Sequence, residues 1–389
     1  MGTGENSPRP TKKKTAKSRQ SSSSKANEPQ FVQLITPDGE RRKNPDFDVD
    51  LSDDEYRGLY EDLVVARNLD AQGTALQRQG HLGLWPSMLG QEGAQIGSGK
   101  ALSANDHVFP SYREIGVQYA RGLDVISAFS LFRGVDLGGR DVHTDKFNMY
   151  EIVIASQTLH ATGYAMGVTR DGAVGTEDGE AVITYHGDGA TSQGDFNESL
   201  VFASVFDAPI VFFCQNNQYA ISEPVTTQSK VPLSQRATGF GIRDYRVDGN
   251  DVLACYAVTK DALSKARLGE GPSLIEAVTY RMAPHTTSDD ATRYRDKDEE
   301  EAWKDKDPIT RYRKWLENAG LADEAFFESV DAKADEAVRT LRDRVINLPD
   351  PDVSQMFDHV YVDNPVELEE QRRDAVEFRA SLEEGSDAR

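Results

Sequence analysis

The sequence predicts an α/β protein: a doubly wound, mostly parallel sheet flanked by helices, with a helical C-terminal extension. Three observations carry this. Two largely apolar runs, 181–185 and 210–214, read as strands buried on both faces, which is the habit of parallel sheets. A helix-compatible segment joins them, with Phe196, Leu200, Val201 and Ala203 at roughly helical spacing, so the three form one βαβ unit. The alternation then returns: strand-like stretches at 242–247 and 273–280 enclose a helix from Asp251 to Leu268. Each strand gives way to polar or glycine-rich residues at its carboxyl end, where open α/β sheets bind ligands.

A chain of 389 residues can bury a large core. Its formal net charge is -21, with 65 acidic against 44 basic side chains, and such a surface repels nucleic acid and anionic membrane. It also suggests a salt-rich cytosol, where screening makes dense negative charge tolerable; the alternative is an ordinary acidic enzyme. The two cysteines, Cys214 and Cys255, have no metal-ligand spacing, and Cys214 ends an apolar strand as a buried thiol would. A reducing, cytoplasmic setting fits them. No apolar run approaches the ~20 residues of a membrane span, and the N-terminus has no signal-peptide core.

In chain order, residues 1–30 read as a disordered tail, with seven Lys or Arg against two Asp or Glu and almost nothing apolar. Order is expected from Phe31, and residues 31–300 form the main α/β domain. Its first helix starts at Ser52, which with Glu55 makes a capping box, and ends at Gly80. A small-residue helix spans 90–99. After Pro110, Tyr112 and Arg113 open another helix, where an arginine fork suits phosphate oxygens, although a plain surface arginine reads equally well. Gly138, Gly139, Arg140 and His143 lie in a polar loop. Residues 152–154 read as a short buried strand, and 170–180 as a hairpin-like polar stretch. Residues 301–389 form the helical extension, with Trp303, Tyr312, Trp315 and Leu316 on an apolar stripe.

The chemistry concentrates between Gly187 and Tyr219. Asp188 and Asn217 are 29 positions apart, yet neighbouring parallel strands bring their carboxyl ends side by side. A carboxylate from Asp188, the Asn217 amide oxygen and the Tyr219 backbone carbonyl are three hard oxygens; with phosphate oxygens and water they complete the octahedron magnesium requires. Gly187 and Gly189 permit a tight turn that admits a diphosphate, and a helix N-terminus follows. The same residues could instead form a left-handed turn and a surface Asn pair. No G-x-x-x-x-G-K-[ST] is present, and 187–194 does not fit G-x-G-x-x-G.

The pair GDG and NN, at 187–189 and 216–217, resembles the thiamine diphosphate signature. With FPSYREIG, GGRDVH, GDGATSQGDFNE, FFCQNNQYAIS and PHTTSDDATRYR in that order, residues 50–350 resemble the alpha subunit of the first, decarboxylating component of 2-oxo acid dehydrogenase complexes. The resemblance implies the thiamine diphosphate-binding fold and a set of roles. Tyr112 and Arg113 contact the diphosphate, and Asp188, Asn217 and the Tyr219 carbonyl bind Mg2+. Ile154 meets the aminopyrimidine through its backbone, while Gly187, Gly189, Ala190 and Ile221 line the cofactor. His285 stands beside the thiazolium carbon, pairs with the diphosphate and assists transfer to lipoyl-lysine. His143 matches a histidine near the active-site mouth, and Leu84 and Trp85 match bulky positions near the substrate pocket.

Two positions depart from the family: Gln215 where many members carry Arg or Lys, which weakens or re-sources one diphosphate contact, and His186 where many carry an aromatic. Thr286, Thr287 and Ser288 match hydroxyls that are phosphorylated in mitochondrial members, and an unmodified, cofactor-ordered loop is expected here. The glutamate that activates the aminopyrimidine belongs to the family's beta subunit, and nothing in this sequence resembles that domain. The resemblance therefore implies two alpha and two beta chains, a lipoyl acyltransferase core as further partner, and pyruvate or a branched-chain 2-oxo acid as substrate, with acetoin third. The rival readings are a self-sufficient thiamine enzyme and a non-catalytic scaffold subunit.

Overall fold

The computed structural model describes residues 30–136 and 140–386. Except for Gln30, the tail expected over 1–30 lies outside the described residues, as do Gly138 and Gly139. The strands are β1 (Phe31–Val32), β2 (His107–Phe109), β3 (Val182–Gly187), β4 (Ile210–Asn216), β5 (Tyr219–Ala220), β6 (Glu223–Pro224), β7 (Arg243–Asp248) and β8 (Ser273–Val278). The helices up to β4 are α1 (Asp53–Arg78), α2 (Glu92–Lys100), α3 (Ile115–Ala120), α4 (Ile126–Arg133), α5 (Val142–Asp145), α6 (Ser156–Arg170) and α7 (Gly194–Val205). After β4 come α8 (Val225–Gln228), α9 (Val252–Arg267), α10 (Lys297–Lys304), α11 (Pro308–Asn318), α12 (Glu324–Ile346) and α13 (Val366–Ser386).

Six strands form one sheet in the order β1-β7-β8-β4-β3-β2, parallel throughout. Register follows from the period of two. On β3 and β4, Val182, Ile210 and Phe212 face a core shared with α6 and α7, whereas Ile183, Tyr185, Val211 and Phe213 face the core under α1, α2 and α9. Every one of these side chains is fully buried, and large apolar groups in that state contribute about 1.5–3 kcal/mol each. Burial on both faces is why β3 and β4 read as unbroken apolar runs.

Local rules set the helix ends. In α1, Ser52 Oγ accepts from Glu55 N–H and Glu55 Oε2 accepts from Ser52 N–H, the reciprocal capping box expected from the sequence. The Asp251 carboxylate caps α9 by accepting from Leu253 and Ala254 N–H, as expected, and also accepts from Leu34 and Ile35 N–H, which ties the first strand to β7. The C-terminal helices differ among themselves. Tyr312, Trp315, Leu316 and Phe327 of α11 and α12 belong to the core around α1, but α13 has no fully buried residue among those described. Trp303 lies apart from the Tyr312–Trp315 stripe and stacks on Tyr280.

Several local expectations are corrected. Residues 152–154 form no strand; they are a bend with Ile152 61% and Val153 69% exposed, because no element lies over them. Tyr112 and Arg113 precede their helix, which begins at Ile115 and runs six residues. Residues 171–181 are turns without strands, and the stretch from 219 to 241 holds the β5–β6 hairpin, α8 and a 3₁₀ turn. The segment after Gly189 is likewise 3₁₀ through Ser192 before α7 starts at Gly194.

Candidate active site

Four neighbouring strands, β8-β4-β3-β2, end at one cleft. From β2 come Tyr112 and Arg113; from β3, Gly187, Asp188, Gly189 and Ala190; from β4, Asn217, Tyr219 and Ile221; from β8, His285. Ile154, in the bend before α6, completes the set, so every cofactor- and metal-binding residue expected from the sequence lines the same cleft. The cavity volume is about 220 Å³.

Asp188 is the charged centre. Its side chain is buried, and Gln228 Nε2 donates to Oδ2 at 3.0 Å. Burial pushes its carboxyl up to about 6, against the Gln228 hydrogen bond and the attraction of Arg281. A buried carboxylate in this state gains from a cation. Among the described residues no three His, Cys, Asp or Glu side chains converge on a metal-sized space. Asp188, Asn217 and Tyr219, expected to supply a carboxylate, an amide oxygen and a backbone carbonyl, all line the cleft. The Tyr219 carbonyl also accepts from Arg281 Nη1 at 2.8 Å, which leaves it one further lone pair.

The glycines act by missing side chains rather than by special backbone angles. Gly187 has φ -84°, which any residue adopts, and a Cβ there would point into open space, so the bare backbone leaves room for a ligand. At Gly189 a Cβ would sit 2.7 Å from Ala220 Cβ, so this position is closed by packing. Strain appears instead at Ala155, Gln218 and Ile221, with φ of 71°, 76° and 56°. A β-branched residue at positive φ is an outlier, and such outliers gather at functional sites. Arg281 Nη2 holds the Ile221 carbonyl at 2.7 Å.

Arg113 and Arg281 build the rest of the cationic wall. Arg113 is buried; its Nη1 donates to Ser87 O at 2.5 Å and its Nη2 to His285 O at 2.9 Å. The same Nη2 lies 3.2 Å from His285 Nδ1, which makes Nδ1 the acceptor and leaves the ring proton on Nε2. Burial, reinforced by Arg113 and Arg281, drives the His285 pKa down to about 3, so the ring is neutral. Asp289 accepts from His285 N–H at 2.8 Å and from Tyr294 OH, and Tyr294 in turn accepts from Arg281 Nη2. Arg281 thus ties the loop after β4 to the His285 loop.

Other marked positions separate by location. Gln215 lines the cleft, but its Nε2 donates to Glu114 Oε1 at 2.6 Å and its Oε1 accepts from Gln95 Nε2 at 3.1 Å. Its amide is spent on Glu114, a buried carboxyl whose pKa is raised by burial. The buried His186 ring packs against Phe196, and burial, only partly opposed by a hydrogen bond to the Thr184 backbone, pushes its pKa down to about 3. It occupies an aromatic's place as a neutral aromatic. Leu84, Trp85 and His143 do not line the cleft; Trp85 is fully buried, with Nε1 donating to Asp70. Thr287 is clasped by the Trp85 backbone, and Ser288 is exposed. Gln91, Glu151 and Gln157 line the cleft and were not singled out by the sequence. Gln91 follows Gly90 at a helix start, which was the available signal.

Comparison with known proteins shows the family of the chain. The family model described as "Dehydrogenase E1 component" matches residues 60–354. The chain is 44% identical to the 3-methyl-2-oxobutanoate dehydrogenase subunit alpha of Mycobacterium tuberculosis, over 90% of this chain and 94% of that protein. It is 40% identical to the pyruvate dehydrogenase E1 component subunit alpha of Bacillus cereus, covering 83% and 86%. Identity to the Staphylococcus aureus protein of the same name is 38%, covering 88% and 91%. The chain belongs to the dehydrogenase E1 component family.

Proposed function

We propose that this chain is the alpha subunit of a thiamine-diphosphate-dependent 2-oxo acid dehydrogenase, which decarboxylates a 2-oxo acid and passes the acyl group to lipoyl-lysine of an acyltransferase. The observation that carries this is the meeting of Asp188, Asn217, Tyr219, Arg113 and His285 in one cleft at the carboxyl edge of the sheet. The cleft fits the cofactor: a buried carboxylate, a buried arginine, and bare backbone at Gly187. Asp188, Asn217 and the Tyr219 carbonyl would hold Mg2+; Tyr112 and Arg113 would hold the diphosphate; Gly189, Ala190, Ile154 and Ile221 would wall the rings. The chemistry supplied by bound thiamine diphosphate is that of an electron sink for decarboxylation. His285, neutral with its proton on Nε2, would present a donor beside the reacting centre.

The relatives' names divide between 3-methyl-2-oxobutanoate and pyruvate, and we assign the substrate to these two classes of 2-oxo acid. We infer a beta chain, two of each subunit, and an acyltransferase core as partners. The rim formed by Ile152, Val153, Ile154 and Ile221 supports a partner there, since apolar side chains left exposed beside a site are covered in an assembly. The buried thiols of Cys214 and Cys255 support a reducing, cytoplasmic setting, and the acidic composition supports a salt-rich one. Co-expression with the beta chain, assayed against a panel of 2-oxo acids with an artificial electron acceptor, tests the function. Turnover by the pair and none by either chain alone is expected. Turnover by the lone chain would favour a self-sufficient enzyme, and no cofactor binding by the pair a scaffold.

A further inference from the structure

Gln91 lies at the start of α2, where its N–H donates to Met88 O at 2.8 Å. Its side chain is fully buried and lines the cleft. The two ends of its amide differ. Oε1 accepts from Asn217 Nδ2 at 3.1 Å, whereas Nε2 is a buried donor with no partner. Two neighbouring glutamines use both ends, although Gln157 Oε1 is also unpartnered: Gln95 donates to Gln215 and Arg113 O and accepts from Gly116 N–H, and Gln215 joins Gln95 to Glu114. A buried amide donor left idle is destabilising, so each one calls for an explanation.

Asn217 presents the complementary half. An amide directs its NH2 and its oxygen to different sides. With Nδ2 committed to Gln91, Oδ1 is turned away, and among the described residues its one hydrogen bond is a long 3.4 Å approach from Tyr219 N–H. Without an acceptor at position 91 the Asn217 amide is free to turn over and offer NH2 to a cation. We propose that Gln91 is a positioning residue of the cofactor site. Oε1 fixes Asn217 with Oδ1 toward the metal, and Nε2 donates to an oxygen of the diphosphate. The assignment rests on the thiamine reading of the cleft given above. It supplies an anion contact that Gln215, spent on Glu114, does not.

The test uses the assembled alpha–beta complex, with calorimetric titration of magnesium–thiamine diphosphate and of magnesium–pyrophosphate at a series of magnesium concentrations. Gln91→Leu removes acceptor and donor. It should weaken binding of both ligands by roughly 10- to 100-fold, the scale of a hydrogen bond to a charged group, and raise the magnesium requirement. Gln91→Glu keeps the acceptor for Asn217 and replaces the donor with negative charge. Its magnesium requirement should stay within about threefold of wild type while pyrophosphate affinity falls at least about tenfold. Wild-type affinities in both variants would overturn the assignment. So would a Gln91→Glu complex whose magnesium requirement rises as far as that of Gln91→Leu. If wild type binds no cofactor, or Asp188→Ala binds as wild type does, the reading of the cleft fails instead. If Asp188→Ala loses binding and the Gln91 variants do not, only the role of Gln91 fails.

Discussion

His285 meets two arginines. Arg113 contacts its ring and carbonyl, and Arg281 reaches its loop through Tyr294 and Asp289. Because the Arg113 guanidinium is also held by Ser87 O, removing the imidazole leaves the anion-binding group in place. His285→Ala should therefore keep cofactor affinity within a few-fold while lowering lipoyl acylation by about 10²–10⁴, the range of a lost acid–base group. Calorimetry beside a lipoyl-domain acylation assay checks this, and wild-type acylation would contradict it. A second histidine concerns stability. His107 is buried between Phe109 and Tyr164 with neither ring nitrogen partnered, and burial, helped by Lys146 and Arg121, lowers its pKa to about 4. Its folded pKa lies below the unfolded value near 6.5. The stability it contributes is thus present above pH 6.5 and lost as pH falls toward 4. His107→Phe should show a shallower fall in urea midpoint over that window than wild type; parallel curves would contradict the linkage.

At the scale of elements, the site is a set of strand ends held in register by one arginine. Arg281 is buried, grips the Tyr219 and Ile221 carbonyls, and joins them to the β8 loop. Arg281→Met should cost about 2–4 kcal/mol, because buried carbonyls lose their donor, and should weaken magnesium-dependent cofactor binding as the loop after β4 loosens. Urea melts with the titration check both effects; a stable variant with wild-type affinity would refute the arginine's role. Much of this edge was legible in the sequence. Apolar runs ending in Gly187-Asp188-Gly189 and Asn216-Asn217 fix strand, turn and neighbour together, since a parallel pair leaves no other place for both ends. Residues 152–154 were misread because a short apolar run carries no sign of whether it is covered. The contacts of Gln91 with Asn217 and of Gln215 with Glu114 were not legible, since they span 126 and 101 positions and follow no local period.

For the whole molecule, an acidic excess of this size makes self-repulsion a standing cost at low ionic strength. The urea midpoint of the assembled protein should rise between about 0.1 and 1 M KCl, as the Debye length falls from ~10 to ~3 Å; an unchanged or lower midpoint would speak against adaptation to salt. The larger feature is a cleft that carries Asp188, Asn217 and Arg113 on one side and an open apolar rim on the other. Everything proposed for it depends on Asp188 being the carboxylate that holds the metal. The direct test is calorimetric titration of magnesium–thiamine diphosphate into the assembled alpha–beta complex, wild type against Asp188→Ala. Saturable, magnesium-dependent binding by wild type and none by the variant is predicted; equal affinity in the two would contradict the account.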